Sequence, residues 1–265
     1  VSALRSENSE VLYVEIDSND FVLASVINNE GKSESVYVNP STAEVLGKSE
    51  RKPWIFEFSK NLHRSLFLKS TGRLIVGIFS CLLCLIAISG FILLVQRHGG
   101  ITKLFTKTKK ENTEQYYHVT LSKWFISPIL LVACTGIYIS AEKFSLLPST
   151  IVEHPFPDID NRKFDLKPVD LEIFKSIPLS TVFKIEFPFS SDPFDHFLLK
   201  LNDRELMVHQ YTGDIVSEIE NSFVKQLSFL VLKIHTGQGS ILWSMILLIT
   251  SCSILFFLYS GFIIY

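Results

Sequence analysis

The sequence lacks the short motifs by which most catalytic centres can be recognised. It has no HExxH zinc motif, no GxSxG nucleophile elbow, no P-loop and no GxGxxG dinucleotide fingerprint. With 25 basic and 27 acidic residues, the formal net charge is -2, so the composition does not favour nucleic-acid binding. Hydrolytic and nucleotide-dependent reactions therefore have no recognisable motif in this chain.

Cysteine is scarce, and its placement argues against a disulfide framework. The four cysteines are Cys81, Cys84, Cys134 and Cys252, and all of them lie in apolar stretches. Cys81 and Cys84 form a CxxC pair, but a thiolate or a metal ion there would sit in hydrocarbon. We interpret all four as small residues of membrane helices, and we expect no disulfide.

Charge is missing altogether between Arg73 and Arg97. A helix needs about 20 apolar residues to cross the core of a bilayer, and this run supplies them. We predict a first span over residues 74 to about 95, a second over about 123 to 140 and a third from about 241 to the end. The hydrophobic residues, 47% of the chain, are concentrated in these blocks, which is typical of a membrane protein.

The loop between the first two spans is basic, with Arg97, Lys103, Lys107, Lys109 and Lys110 against two glutamates. Positive loops stay in the cytoplasm, so both flanking domains are predicted to be extracytoplasmic. The predicted regions are an outer domain (1–52), an interfacial helix and span (53–96), a cytoplasmic loop (97–117), a span (118–140), a second outer domain (141–228) and a last span (229–265).

Both outer domains are predicted to be small and β-rich. Strand-like runs at residues 11–16, 21–27 and 35–38 are separated by polar turns at 18–20 and 28–32, and the second domain repeats this style over about 180–219. The following segment, residues 54–70, has apolar residues at helical spacing. It is either an interfacial helix or an extension of the first span.

An internal repeat links the two halves. Residues 35–50 (SVYVNPSTAEVLGKSE) match residues 205–220 (ELMVHQYTGDIVSEIE) in pattern, and each copy is followed by an amphipathic stretch, a histidine and a span. The chain begins at Val1 and stops at Tyr265 inside an apolar run, so we expect it to be a piece of a longer protein. Extending the repeat predicts an earlier span, before Val1, that carries a histidine on the inner side.

His63 and His235 occupy matching positions in the repeat, at the outer ends of spans. Two neutral imidazoles that face each other in a helix bundle can be the axial ligands of a b-type haem. Arg64 and Arg73, with Lys69 and Lys233, could neutralise the haem propionates. A lone interfacial histidine is more often a polar snorkelling residue, but the matched pair favours ligation.

His118 lies at a span end on the inner side, and its best partner is the histidine predicted upstream of Val1. His98 is the substitute within this chain, but the two glycines after it give it no rigid helix. The remaining histidines, His154, His196 and His209, have no metal-ligand spacing, and we interpret them as surface or β-sheet residues.

Four short motifs in order resemble one known family. VYVNPSTAEVLG resembles the end of a PepSY domain, where the usual pattern is close to VYVDPxTGEVLG. NLHRSLFL followed by GRLIVGI and ISGFILL, YYHVTLSKW before the second span and IHTGQG before the last resemble the PepSY-associated transmembrane helix family. The chain departs from the pattern at Ala43, where the PepSY turn usually has glycine; the second copy keeps the glycine as Gly213.

The family includes ferric-siderophore reductases of the bacterial inner membrane and fusions to flavoprotein reductases. The resemblance implies an α-helical bundle of four spans, three of them in this chain, with two α+β PepSY-like outer domains. It also implies two haems. The outer haem would be held by His63 and His235, and the inner haem by His118 and a residue on the additional span expected before Val1.

The leading hypothesis is therefore a haem-dependent membrane oxidoreductase. Electrons would pass from a cytoplasmic flavin or NAD(P)H donor, on a partner or a fused domain, to a periplasmic iron chelate such as a ferric siderophore. The alternative is a non-redox PepSY module, anchored in the membrane, that binds or inhibits a peptidase or acts as a sensor.

Overall fold

The computed structural model describes residues 10–16, 21–42, 44–50, 53–108, 112–155 and 171–264. These residues form two compact units. The sheet unit comprises the described residues within 1–51 and 150–226, and the helical unit comprises those within 52–149 and 227–265. Ala43 and the predicted turn at 18–20 lie outside the described residues.

The sheet unit contains eight antiparallel strands. Their bounds are β1 Glu10–Ile16, β2 Val22–Ile27, β3 Ser33–Val38, β4 Val45–Lys48, β5 Val182–Glu186, β6 His196–Leu201, β7 Arg204–His209 and β8 Ile215–Glu220. The order across the sheet is β4-β3-β2-β1-β5-β6-β7-β8. Apart from β4, for which no strand was predicted, the strands lie where alternation and turn residues predicted them in both halves of the chain.

The sequence predicted two separate outer domains, but in the structure the strands of both form one continuous sheet. β1 pairs with β5, and Val14 lies opposite Ile185. Each half alone would expose the backbone of its first strand as an unpaired edge, and joining them removes both edges. The boundaries proposed for the separate regions remain a prediction.

The internal repeat is visible in the sheet. Each half is a meander of four strands, and the repeated segments form the outermost hairpins, β3–β4 and β7–β8. Both hairpins carry a register shift at the matching position, between Tyr37 and Val38 and between Met207 and Val208. A shared irregularity at the same place supports a common origin for the two halves.

Apolar side chains on one face of the sheet form its core. Phe197, Leu199 and Leu201 alternate with less buried residues along β6, as expected for a strand with one covered face. Phe197 contacts two other rings at its edge, Phe174 at 5.0 Å and Phe187 at 5.3 Å between centroids. Phe174 belongs to the short helix α4, Ile173–Ser176, so α4 covers part of this core.

The remaining helices are α1 Trp54–Ser65, α2 Lys69–His98, α3 Thr113–Lys143, α5 Phe223–Thr236 and α6 Ile241–Ile264. Three of them, α2, α3 and α6, are long and apolar enough to cross a membrane, which confirms the three predicted spans. The segment at 54–70 is a separate helix that ends at Ser65 rather than an extension of α2.

Within the helical unit, α2 and α3 run antiparallel. A Cβ at Gly77, early in α2, would lie 3.0 Å from Cβ of Ser140, late in α3. At the other end, Leu94 packs in one cluster with Val119. The last span, α6, also packs against α3, and its Gly261 lies next to His118, near the start of α3. Small residues at these crossings allow the helices to approach closely.

Candidate functional site

A tight connection between α1 and α2 positions His63. Leu66 and Phe67 both adopt left-handed backbone conformations, with φ of 47° and 61°, which bulky residues rarely do. A Cβ at Gly72 would lie 1.7 Å from the backbone oxygen of Ser65. Because only glycine fits there, the end of α1 is held directly against the first turn of α2, and His63 lies in the last turn of α1.

A second tight connection, between α5 and α6, positions His235. Gly237 and Gly239 have φ of 78° and 85°, a left-handed region that favours glycine. The indole N–H of Trp243 donates to the carbonyl of Ile234 at 2.7 Å. The hydroxyl of Ser244 donates to the carbonyl of Gly237, also at 2.7 Å. The last turn of α5 is therefore tied to α6.

The structure brings His63 and His235 together, although 172 positions separate them in sequence (235 − 63). The ring centroids lie 6.0 Å apart, and the ring planes differ by 29°. A metal–imidazole bond of about 2 Å, with the ring centre about 1 Å further back, puts two rings on one metal ion about 6 Å apart. The pair therefore has the separation that two axial ligands require.

His235 also contacts the second span. Its Nδ1 lies 2.9 Å from Oγ1 of Thr135, which is on α3. Burial, and next the positive charge that His63 would carry when protonated, lower the pKa of His235 below its ordinary value of 6.5. A neutral imidazole is the form that binds a metal ion.

Two arginines lie near this pair in the chain. Arg64 follows His63 and is exposed, and Arg73 stands in the second turn of α2 and is partly buried. Nε of Arg73 is buried, and it has no hydrogen-bond partner among the described residues. A buried guanidinium nitrogen without a partner is costly, so this atom suits an anionic group that the structure does not contain, such as a haem propionate.

His118 occupies a similar environment at the opposite end of α3. Its Nδ1 lies 2.7 Å from Oγ of Ser260 on α6. The 17 residues from His118 to Thr135 correspond to about 25 Å along the helix axis. The helical unit thus has a histidine site at each end of its second span.

His98 is the last residue of α2, and its Nδ1 contacts the carbonyl oxygen of Leu94 at 2.9 Å. The expectation that His98 has no helix to hold it is therefore wrong, because α2 continues through it and ends at Gly99, which follows it. No described contact brings His98 together with His118.

The remaining three histidines lie in the sheet unit. His196 and His209 are cross-strand neighbours on β6 and β7, as interpreted. Nδ1 of His209 accepts from the backbone N–H of Tyr211 and of Thr212, and the side chain of Asn39 caps the turn in the first repeat in the same way. His209 therefore has a turn-forming role.

His154 differs from its interpretation as a surface or strand residue. Its side chain is buried, and Nε2 lies 3.8 Å from Oε2 of Glu205, whose other oxygen accepts a short hydrogen bond from Lys225. Burial lowers the pKa of His154, although the neighbouring carboxylate opposes the shift. No group of three or more His, Cys, Asp or Glu side chains that could hold a metal ion occurs among the residues described.

Sequence reasoning missed Thr135 and Ser260, the two hydroxyl partners of the histidines. Each is followed by a glycine within an apolar span, Gly136 and Gly261. That pairing was the available signal, because a hydroxyl and a glycine side by side mark a place where another side chain can approach a membrane helix closely.

Three apolar helices of spanning length, and large apolar side chains turned outward from them, define this chain as an integral membrane protein. More particularly, it matches the model of the PepSY-associated TM region over residues 3–265. The chain belongs to that family, as its motifs had indicated. No curated protein and no solved structure matches it.

Proposed function

We propose that this protein transfers electrons across a membrane and that His63 and His235 are the two axial ligands of a b-type haem. The observation that carries the proposal is the separation of the two rings, 6.0 Å between centroids on two different helices. Haem iron, when bound, supplies the one-electron chemistry that the protein side chains lack. Imidazole is a common iron ligand in such sites.

The surrounding residues support this assignment. Arg73 offers a buried nitrogen that has no partner among the residues described, and Arg64 offers a charge next to His63. Both are suited to bind the propionates. His118, at the opposite end of α3, is the corresponding ligand candidate for an inner haem, and its partner would come from the span predicted upstream.

The proposed direction is outward across the bacterial inner membrane, with the sheet unit on the periplasmic side. A reduced flavin or NAD(P)H on a cytoplasmic flavoprotein or a fused reductase domain is oxidised. A periplasmic ferric chelate, such as a ferric siderophore, takes up one electron per iron and becomes ferrous. The part of this chain is to hold the ligands in place and to exclude water from them.

Single substitutions His63→Ala and His235→Ala test the ligation. Each is expected to abolish the low-spin haem signal of the outer site, because a six-coordinate centre needs both imidazoles. The measurement is the absorption and electron paramagnetic resonance spectrum of the full chain, purified after expression with sufficient haem. His196→Ala, in the sheet, is the control and should leave the signal unchanged.

Unchanged haem content and spectra in both variants would refute the ligation by this pair. A colourless wild-type protein, again with haem supplied during expression, would refute the electron-transfer function as a whole. The non-redox alternative would then stand, in which the helices anchor a PepSY module that binds or inhibits a peptidase or acts as a sensor.

A further inference from the structure

Two hydroxyl groups contact two histidines across helix boundaries in the same way. Oγ1 of Thr135 lies 2.9 Å from Nδ1 of His235, and Oγ of Ser260 lies 2.7 Å from Nδ1 of His118. In both cases the contact uses the nitrogen nearer the backbone. The outer nitrogen, Nε2, takes no part in it.

The direction of these hydrogen bonds depends on where each hydroxyl donates its single proton. A hydroxyl has one proton to donate and two lone pairs. Thr135 is placed to donate its proton to the carbonyl of Leu131 at 2.8 Å, one turn earlier in its own helix, and Ser260 to that of Phe256 at 2.8 Å. With that proton on the backbone carbonyl, each hydroxyl oxygen accepts from the histidine, which places the imidazole proton on Nδ1.

We propose that Thr135 and Ser260 are positioning residues that hold His235 and His118 as the Nδ1–H tautomer, with the Nε2 lone pair free to bind iron. The tautomer is argued from the hydrogen bonds to Leu131 and Phe256, whereas its use for iron rests on the function proposed above. Histidines that bind metals usually donate their other ring N–H to a fixed acceptor, which sets the tautomer and orients the ring.

The glycine after each hydroxyl gives the ring room to approach. A Cβ at Gly136 would lie 3.5 Å from Cε1 of His235, and a Cβ at Gly261 would lie 3.9 Å from Cε1 of His118. The histidine rings therefore lie over a Thr-Gly and a Ser-Gly pair. This arrangement, found at both ends of the bundle, distinguishes the two sites from ordinary helix crossings.

A simpler role for a hydroxyl in a membrane helix is to bond only to its own backbone. Thr250 and Ser253 on α6 have that role. The hydroxyl of Thr250 donates to the carbonyl of Ile246 at 2.7 Å, and the hydroxyl of Ser253 donates to the carbonyl of Thr250 at 2.7 Å. Both are buried, as Thr135 and Ser260 are. They are therefore matched controls that separate positioning of a histidine from helix packing.

The first test uses the full chain purified without haem and labelled with ¹⁵N at histidine. The wild-type protein at pH 8 should show His235 protonated at Nδ1 and not at Nε2. Thr135→Val, which replaces the hydroxyl by a methyl group of similar size, should shift His235 toward the Nε2–H tautomer. Thr135→Ser should restore the wild-type state, and Thr250→Val should leave it unchanged. An Nε2–H tautomer in the wild type, or the same tautomer in Thr135→Val, would overturn the proposal.

The second test measures haem binding by the same variants. Loss of such a hydrogen bond typically weakens metal binding 10–100-fold, so we expect a loss of about that size for Thr135→Val and none for Thr250→Val. If the wild type bound no haem but Thr135→Val changed the tautomer, the tautomer assignment would stand and the function would fail. Haem affinity unchanged in Thr135→Val would overturn its role in ligation while leaving the function intact.

The inner site provides an independent copy of the test. Ser260→Ala should release His118 from the Nδ1–H tautomer, and Ser260→Thr should retain it, whereas Ser253→Ala should have no effect. Retention of the Nδ1–H tautomer in Ser260→Ala would overturn the proposal for His118.

Discussion

In the sheet unit the most deeply buried side chains are large and apolar, among them Phe197 and Leu199, whereas in the helical unit they are Thr250 and Ser260, each 1% exposed. The spans also leave many large apolar side chains exposed. Leu85, in the middle of α2, is 63% exposed and Phe262, near the end of α6, is 87% exposed. Among the described residues, the least exposed side chains are therefore apolar in the sheet unit and hydroxyl-bearing in the helical unit.

The reversal reflects two different solvents. In water, apolar burial drives a sheet to cover one face. In a bilayer the lipid is as apolar as leucine, so helices gain nothing from hiding leucine and associate through small and hydroxyl-bearing residues. The polar contacts between helices, including those of the histidines, thus lie where a water-soluble protein would have its apolar core.

The largest contrast is expected for removal of a phenylalanine ring. Phe197→Ala should lower the free energy of unfolding of the sheet by about 3–5 kcal/mol, because it leaves a cavity among buried rings. The side chain of Phe262 faces lipid, so Phe262→Ala should change the free energy of unfolding by no more than about 0.5 kcal/mol. Denaturant titration of the full chain in detergent, followed by circular dichroism, measures both. Equal effects of the two variants would contradict the comparison.

A leucine-to-lysine pair tests the solvent directly. Leu85→Lys puts a charge at the centre of a span and should cost about 2.5–3.5 kcal/mol of insertion free energy. Leu46→Lys, on the outermost strand β4 with a similar exposure of 61%, should change stability by less than about 0.5 kcal/mol. A glycosylation-based insertion assay measures the first variant, and thermal unfolding measures the second. Unimpaired insertion of Leu85→Lys would show that this face of α2 does not meet lipid.

The smallest effect concerns the buried histidine of the sheet unit. Because the pKa of His154 is lowered from 6.5 in the folded state, the unfolded state takes up a proton first as the pH falls. Its contribution to stability is complete above about pH 6.5 and is lost as the pH falls through the lowered pKa. Thermal unfolding between pH 8 and 5 should show a shallower decline for His154→Gln than for the wild type. The same slope in both would argue against burial of a neutral His154.

Much of the architecture follows from local patterns. Alternation and turn residues placed seven of the eight strands described, all except β4, and uncharged apolar length placed α2, α3 and α6. These patterns report which face of an element is covered, but they do not say by what. For that reason the pairing of β1 with β5 was not foreseen, since it joins strands about 170 positions apart that neither turn nor alternation connects.

The residues of the candidate site were likewise predicted only in part. His63 and His235 were predicted because the repeat marks them, whereas nothing in the repeat pointed to Thr135, and the buried position of His154 was missed. Thr135 and Thr250 both bond to their own helix and both are buried, but Thr135 also contacts a histidine. The partner depends on how α5 lies against α3.

The amino-acid sequence by itself determined the three spans, the duplicated hairpins and the family, because each is written in neighbouring residues. Only the tertiary structure decided that one sheet forms instead of two, and which hydroxyl meets which histidine. Thr135 lies 100 positions from His235 and Ser260 lies 142 from His118. Contacts over such separations arise from the packing of whole helices, which no short stretch of sequence encodes.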